Sequence, residues 1–268
     1  MIPKIIHYCW FGDKPKPESV QKCINSWKKY CRGYKIIEWN ESNYDIHKNK
    51  YMEQAYQAKK WGFVPDFARL DIVFRYGGIY LDTDVQIVKK IDSLLQFDSF
   101  FGFESIPPKT FVNLGHGFGA IPNHPIISAL LDSYNELSFL NSDGSLNLIP
   151  SPELNSIVFE KLGFSICNET QKKDKDIVFS SEYFAPKSFL TGKINKTKQT
   201  YSIHHYDASW YDEKQQEAKL QRWERYKKDR FKRRMNKVKG GIRNFLLKTI
   251  EKKNYNMLMS KLRSKQRN

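Results

Sequence analysis

The sequence predicts an α/β protein with a mixed sheet flanked by helices, followed by a basic helical extension. Three observations lead to this prediction. Hydrophobic residues make up 40% and aromatic residues 15% of 268 residues, which is enough for a substantial core. Strand and helix patterns alternate along the first third of the chain, as is typical of α/β folds. The excess positive charge lies almost entirely at the C-terminal end.

The order of the elements follows from hydrophobic spacing and from the positions of proline and glycine. Short apolar runs predict strands, whereas apolar residues three and four apart predict helices. A proline near the first turn and a glycine after the last turn mark helix ends. We predict strands at 4–10, 34–39, 79–81, 85–88, 100–104 and 113–122, helices at 17–30, 51–61, 65–76, 125–137 and 152–162, and a polar surface loop at 168–176.

The charge distribution divides the chain into two parts. Residues 213–268 contain 20 Lys and Arg against 5 Asp and Glu, a net charge of +15, while residues 1–212 are close to neutral. We therefore predict a nearly neutral folded domain at 1–212 and a basic amphipathic tail at 213–268. In the tail, apolar residues recur at helical spacing on both sides of Gly240-Gly241, which predicts two helices joined at a glycine hinge.

The segment Gly77-Gly78-Ile79-Tyr80-Leu81-Asp82-Thr83-Asp84 is the most informative motif of the sequence. The glycines permit tight backbone geometry, and the apolar residues that follow predict a buried strand. Two carboxylates then stand where that strand ends, a pattern suited to a hard divalent cation with open coordination positions. An Asp-x-Asp sequence alone is also common in capped turns, so its context matters.

Three motifs in order resemble those of glycosyltransferase family 32. The first is Ile2-Pro3-Lys4-Ile5-Ile6-His7-Tyr8-Cys9-Trp10-Phe11-Gly12, the second runs from Asp66 to Asp84, and the third is Tyr201-Ser202-Ile203-His204-His205-Tyr206-Asp207-Ala208-Ser209-Trp210. The family includes bacterial capsule and lipopolysaccharide glycosyltransferases and yeast-type mannosyltransferases, and it is similar to the catalytic domains of large clostridial toxins. The resemblance implies a GT-A-type nucleotide-sugar-binding sheet.

The resemblance implies a metal site built by three residues. Asp84 would bind the ion directly, and Asp82 would contact the ribose, the sugar or a metal-bound water. His204 would act as a metal or diphosphate ligand, with His205 as the alternative. Mn²⁺ is the usual ion of the family, and an oxygen-rich site fits Mn²⁺ or Mg²⁺.

The remaining site residues are assigned to the donor. Asp66 and Arg69 are three apart on a helix, so they form either an ion pair or, as the resemblance implies, a pair that contacts the donor sugar. Trp10 would stack on the nucleotide base, although a tryptophan there is also common in cores. Asn113 would face the donor or acceptor sugar. Ser209 and Trp210 would belong to a loop that closes over the donor and excludes water.

These assignments predict a metal-dependent, retaining hexosyltransferase. We expect the cofactor to be Mn²⁺ or Mg²⁺ and the donor to be a nucleotide sugar, with a UDP-hexose favoured. The acceptor would be a glycan or lipid-linked glycan in capsular polysaccharide or lipopolysaccharide assembly. The alternatives are a toxin-like effector that glycosylates a protein, and a non-catalytic scaffold that binds membrane or nucleic acid.

The basic tail, residues 213–268, predicts a contact with an anionic membrane surface. Nucleic acid is a weaker candidate partner, and simple packing of the tail on the core is the structural alternative. The sequence has no run of about 18 apolar residues and no basic-then-apolar N-terminal segment. We therefore expect a cytoplasmic protein held peripherally at the inner face of the cell membrane, with its four cysteines reduced.

Overall fold

The computed structural model describes residues 1–207 and 213–265. Contacts divide the chain into two units, Met1–Lys214 and Gln215–Asn268. The first unit contains a mixed sheet, and the second belongs to one long helix. The predicted functional division at residue 212 stays a prediction.

The N-terminal half of the first unit alternates between strands and helices, as the sequence predicts. Its elements are β1 (Ile5–Cys9), α1 (Glu18–Tyr30), β2 (Lys35–Trp39), α2 (Lys50–Gln57), α3 (Val64–Tyr76), β3 (Gly78–Tyr80) and β4 (Val85–Ile87), with a 3₁₀ turn at Ile46–Lys48. Helix α2 ends four residues earlier than predicted, and Lys59 just beyond it has a positive φ of 55°. A left-handed backbone at a non-glycine residue is incompatible with a continuing helix.

The second half of the unit completes the sheet. It contains a 3₁₀ helix at Asp92–Gln96, then β5 (Ser99–Ile106), β6 (Lys109–Val112), β7 (Phe118–Ala120), α4 (Pro125–Asp132), α5 (Ser151–Lys161), β8 (Gln171–Lys173), β9 (Asp176–Phe179), α6 (Ser181–Phe184) and β10 (Ser202–His204). The polar loop predicted at 168–176 is wrong, because β8 and β9 form an antiparallel hairpin there. Exposed lysines on β8 suit a sheet edge, where charge opposes further strand pairing.

The main sheet has the strand order β2-β1-β3-β7-β5-β9-β8, with β6 also paired to β5. Strand β1 lies parallel to β2 and β3, whereas β3 lies antiparallel to β7. Strands β4 and β10 form a separate antiparallel pair. The sheet is thus mixed, and helices flank it on both faces, which confirms the predicted fold class.

Two hydrophobic clusters cover the two faces of the sheet. Neighbouring residues on a strand face opposite sides, so Phe101 packs with residues of α2 to α5 whereas Phe100 packs with residues of α1 and α6. Trp27 of α1 is fully buried, and its indole NH donates to the carbonyl of Val85 at 2.7 Å. This bond holds β4, and with it the residues just before β4, against α1.

The C-terminal unit belongs to α7, a single helix from Glu213 to Lys265. The predicted break at Gly240-Gly241 is wrong, because the helix runs through both glycines. A glycine inside a helix costs only about 1 kcal/mol relative to alanine, and the lysines, arginines, leucines and methionines around the pair are strong helix formers. Among the described residues, no helix is both long and apolar enough to cross a membrane.

Candidate functional site

Two glycines place the Asp-x-Asp sequence just beyond the carboxyl end of β3. Gly77 and Gly78 have φ values of 62° and 98°, and a Cβ at Gly78 would lie 2.9 Å from the carbonyl oxygen of Ile5. Glycine is therefore required for β3 to approach β1 closely. Beyond the end of β3 the backbone stays paired with β1, because the Leu81 NH donates to the carbonyl of His7. Asp82 and Asp84 follow directly.

Asp82, Asp84 and His204 converge into a possible metal site. Their nearest ligand atoms all lie within 4.8 Å of one another, although His204 is 120 positions beyond Asp84 in sequence. Pairing of β10 with β4 sets His204 opposite Val85, so its Nε2 lies 3.1 Å from Oδ1 of Asp84. Two carboxylates and an imidazole are ligands that could hold a divalent metal ion. The structure thus brings together all three residues predicted to bind metal.

The contact between Asp84 and His204 shifts the pKa values of both side chains. Burial raises the pKa of Asp84, but the charge and hydrogen bond of His204 and backbone hydrogen bonds outweigh burial and bring it to about 2. Burial lowers the pKa of His204, yet its interaction with Asp84 dominates and raises the value to about 9. Without a cation, Asp84 and His204 therefore form a charged pair at neutral pH. Asp82 differs, because burial outweighs the charge of Arg69 and raises its pKa.

Arg69 connects helix α3 with the Asp-x-Asp sequence. It forms an ion pair with Asp66 one turn earlier, and its Nη1 lies 3.5 Å from Oδ1 of Asp82. Its Nη2 also donates to the Ser151 hydroxyl at 2.9 Å. Asp66 and Arg69 are both only 4% exposed. The helical ion pair that the spacing predicted is present, and the same guanidinium also reaches the predicted metal site.

Asn113 supports the site from behind Asp82. Its side-chain oxygen accepts from the NH of Gly115 at 2.7 Å, and its amide nitrogen donates to the buried carboxylate of Glu104 at 2.8 Å. The carbonyl of Gly115 in turn accepts from the NH of Asp82 at 3.1 Å. A Cβ on Gly115 would overlap Oδ2 of Asp82. Asn113 therefore fixes the loop against which Asp82 rests.

Trp10, which we predicted to stack on the base, lies one residue beyond β1 at the carboxyl end of that strand. Its indole NH donates to the carbonyl of Lys14 at 2.6 Å, and Lys16 lies over its ring at 5.7 Å from the centroid. The half-buried ring keeps part of its surface accessible. Stacking on a base stays a prediction, as do the roles of the other site residues.

Of the third motif, residues 201–210, the structure describes residues 201–207. His205 points away from Asp84, with its Nε2 3.0 Å from the side-chain oxygen of Gln86, so His204 is the histidine at the site. The NH of Asp207 donates to Oδ2 of Asp84 at 2.8 Å. Ser209 and Trp210, predicted to close over the donor, lie outside the described residues. Asp84 therefore holds the backbone immediately before them.

Three residues of the site were not identified from the sequence. His116 is fully buried with its ring 5.8 Å from that of His204, and neither of its nitrogens has a hydrogen-bond partner among the described residues. Burial lowers the pKa of His116 well below the usual range, so the ring is neutral. Gly115 and Ser151 are the other two. The glycines around His116 indicate close backbone packing in this segment, but the sequence does not show that the segment packs against Asp82.

The chain is similar in sequence to known glycosyltransferases. Residues 17–101 match the family model described as "Glycosyltransferase sugar-binding region containing DXD motif". The chain is 30% identical over 158 residues to "Uncharacterized glycosyltransferase L373" of Acanthamoeba polyphaga mimivirus, covering 56% of this chain and 61% of the relative. It is 29% identical over 137 residues to "Inositol phosphoceramide mannosyltransferase 1" of Schizosaccharomyces pombe, covering 47% of this chain and 40% of the relative.

A solved glycosyltransferase "involved in the glycosylation of the major capsid of PBCV-1" is similar with a TM-score of 0.44 and 15% identity, covering 82% of this chain and all of that one. The chain spans 61% and 40% of the length of the two sequence relatives. Asp82-Thr83-Asp84 is an Asp-x-Asp sequence within the matched region. Residues 17–101 are therefore similar to the glycosyltransferase sugar-binding region that contains a DXD motif.

Proposed function

We propose that this protein transfers a hexose from a nucleotide sugar to a surface glycan or lipid-linked oligosaccharide, in a metal-dependent reaction that retains the anomeric configuration. The observation that supports this proposal most is the convergence of Asp82, Asp84 and His204 beside the buried guanidinium of Arg69. Metal dependence follows from this set of ligands. Retention follows from the resemblance to family 32.

Asp82, Asp84 and His204 would hold the divalent ion. When bound, the ion would neutralise charge on the departing diphosphate. The carboxylate of Asp84 accepts from His204 and from the NH of Asp207, and two carboxylate oxygens offer about four lone-pair sites, so positions remain for a cation. The buried Nδ1 of His204, which has no partner among the described residues, is a further polar atom that a bound ligand would satisfy.

Protein groups would orient the donor sugar. Arg69 contacts the carboxylates of Asp66 and Asp82 and would hold both in place for contact with sugar hydroxyls. Asn113 and Gly115 fix the backbone beneath Asp82, so the carboxylate has little freedom to move. Positioning of this kind accounts for a large part of catalysis in transfer reactions, because the reacting groups are already aligned.

The donor and the acceptor are proposed at the level of class. The sequence favours a UDP-hexose, whereas the name of the fission-yeast relative favours mannose and therefore GDP-mannose. That relative's name also specifies a ceramide lipid as acceptor, which supports a lipid-linked acceptor for this chain. UDP-glucose, UDP-galactose, UDP-N-acetylglucosamine and GDP-mannose form a panel that separates these possibilities. The anomeric configuration of the product, read by proton NMR, tests retention.

The decisive experiment measures nucleotide diphosphate release from each donor with Mn²⁺ and with chelator. We expect turnover of one donor with Mn²⁺ and a loss of at least about a hundredfold in Asp84→Asn, since the ion's ligand charge is removed. Asp132→Asn is the matched control, because Asp132 is exposed at the end of α4 and should leave turnover within about twofold. Absence of nucleotide-sugar binding in Mn²⁺ contradicts the proposal. Binding without turnover by any donor would favour the non-catalytic scaffold.

A further inference from the structure

An exposed apolar stripe runs along the middle of α7. Phe231 is 67% exposed, Val238 49% and Met235 39%, which is unusual for three large apolar side chains on one element. A helix turns by about 100° per residue, so these three positions lie within an arc of about 60°. They therefore form a single surface, which we call the apolar stripe.

Cations border the apolar stripe on both sides. Lys227 precedes it on one side, and Lys228, Lys232 and Lys239 follow it on the other, all with exposed side chains. Lys227 also pairs with Glu224 one turn earlier. The sequence of residues 213–268 carries a net charge of +15. An apolar strip bordered by lysines is the pattern of a helix that lies flat in the interface of an anionic membrane.

The continuity of α7 strengthens this interpretation. Because the helix runs through Gly240 and Gly241 without a break, the stripe lies on one uninterrupted element of 53 residues. In the sequence, Ile242 and Phe245 continue the spacing of four and three that relates Phe231, Met235 and Val238. A straight apolar strip can contact a flat surface along its length, whereas two helices joined at a hinge would present two short ones.

A second copy of the helix is the main competing occupant, since spacing of four and three is also that of a coiled coil. If the apolar stripes of two copies packed together, the positions beside that contact would include Lys232 and Lys239, both of which are exposed. Lysines of one copy would then face lysines of the other, and like charges at these positions oppose pairing. An anionic surface meets no such repulsion.

We propose that the apolar stripe of α7 binds an anionic lipid surface, with Phe231, Met235 and Val238 in the acyl boundary and the flanking lysines at the phosphate groups. The proposal is independent of which sugar the protein transfers. It places α7 at a membrane surface.

The full-length protein should be tested by sedimentation with phosphatidylcholine vesicles and with vesicles containing about 30% phosphatidylglycerol. We expect binding to the anionic vesicles only. Phe231→Ser/Met235→Ser/Val238→Ser should reduce partitioning by more than about tenfold, because insertion of apolar side chains is lost. Lys228→Gln/Lys232→Gln/Lys239→Gln should reduce it by about a hundredfold, at about fivefold per lysine.

Ala218→Ser/Asn236→Ser is the matched control, because both positions are exposed on the far side of the helix and the charge is unchanged. It should bind like the wild type. Circular dichroism at 222 nm should show equal helicity in all variants. Equal vesicle binding by the wild type and the stripe variant would overturn the proposal, because binding would then depend on charge alone.

Two further outcomes would also overturn it. Absence of vesicle binding by the wild type is the first. The second is a dimer in sedimentation equilibrium that the stripe variant abolishes while vesicle binding is unchanged, which would assign the stripe to a second copy of the chain.

Discussion

Gly115 is a residue whose missing side chain shapes the site. Its NH is held by Asn113, its carbonyl holds the NH of Asp82, and its Cα faces Oδ2 of Asp82 without space for a methyl group. Glycine here is required by a neighbouring carboxylate and not by a positive φ. A substitution at this position should therefore damage the site more than the fold.

We predict that Gly115→Ala lowers Mn²⁺ affinity and donor turnover by at least about tenfold, because the new methyl group displaces Asp82 from its position. Calorimetric titration with Mn²⁺ and the diphosphate-release assay measure the two effects. Gly144→Ala is the control: Gly144 has a φ of 81° and open space around it, so alanine costs about 1–2 kcal/mol of stability but leaves the site intact. Equal Mn²⁺ affinity in Gly115→Ala and the wild type would show that Asp82 is not a ligand.

His7 has a structural role in the sheet. Its Nδ1 accepts from the indole NH of Trp39 at 3.1 Å, and its Nε2 lies 2.9 Å from the carbonyl of Gly77. Because Nδ1 accepts, the proton of the neutral ring is on Nε2, which donates to Gly77. Burial lowers the pKa of His7 to about 4, although the bond to Gly77 opposes this effect. A neutral imidazole thus connects β1, β2 and the glycine turn.

This arrangement predicts loss of stability in acid. An unfolded histidine takes up a proton below about pH 6.5 and the folded one only below about pH 4, so the unfolded state binds more protons between these values. The free energy of unfolding should fall by about 2 kcal/mol from pH 7 to pH 5 because of His7 alone.

Urea titrations of the wild type and His7→Gln at both pH values isolate that contribution. The difference in the free energy of unfolding between the two pH values should shrink by this amount in His7→Gln. The same pH dependence in His7→Gln and the wild type would show that His7 is already protonated in the folded state, or that it titrates normally there.

At the scale of elements, the helices and strands of the first 90 residues could be predicted because each has a local signature. Val64–Tyr76 begins with proline in its first turn and ends at Gly77, and the prediction of 65–76 differs from it by one residue. The hairpin of β8 and β9 could not be predicted, because its edge strand is Gln-Lys-Lys and only pairing with β9 makes it a strand. Local polarity suggested a loop there.

The glycine pair of α7 is the opposite case, because Gly240-Gly241 predicted a hinge whereas the helix is continuous there. Replacement of both glycines by alanine (Gly240→Ala/Gly241→Ala) should stabilise the helix by about 2 kcal/mol in total, since each glycine costs about 1 kcal/mol in a helix interior. Ellipticity at 222 nm followed on heating measures the effect. Gly192→Ala is the control, because Gly192 has a φ of 67° and alanine there should destabilise. Reduced helicity in the double variant would indicate that these glycines do form a hinge.

At the scale of the whole molecule, the two units should respond differently to ligand. The candidate metal ligands Asp82, Asp84 and His204 all belong to residues Met1–Lys214, whereas α7 carries the excess charge. A ligand that binds only the folded state stabilises it by about 2.7 kcal/mol at a hundredfold excess over Kd. For a unit of this size we expect Mn²⁺ with the correct nucleotide sugar to raise Tm by about 5–10 °C.

Near-UV circular dichroism, which reports aromatic packing, measures this transition. Asp84→Asn should show no shift with the same ligands, while Asp132→Asn should shift like the wild type. An unchanged Tm with every donor of the panel would contradict nucleotide-sugar binding by this unit.

The sequence by itself determined which charged candidate residues stand close together and where the excess positive charge lies. Asp82, Asp84, Asp66 and Arg69 lie within 19 consecutive residues, and their spacing depends only on local helix and strand geometry. The net charge of +15 in residues 213–268 is likewise a property of composition alone.

Only the tertiary structure decided which distant residues complete the site. His204 reaches Asp84 because β10 pairs with β4, Gly115 fits beneath Asp82, and Ser151 receives Arg69 from another helix. The physical reason is that these contacts depend on strand pairing and close packing between segments 30 to 120 residues apart in sequence, whereas a motif encodes only what the backbone can reach within a few residues.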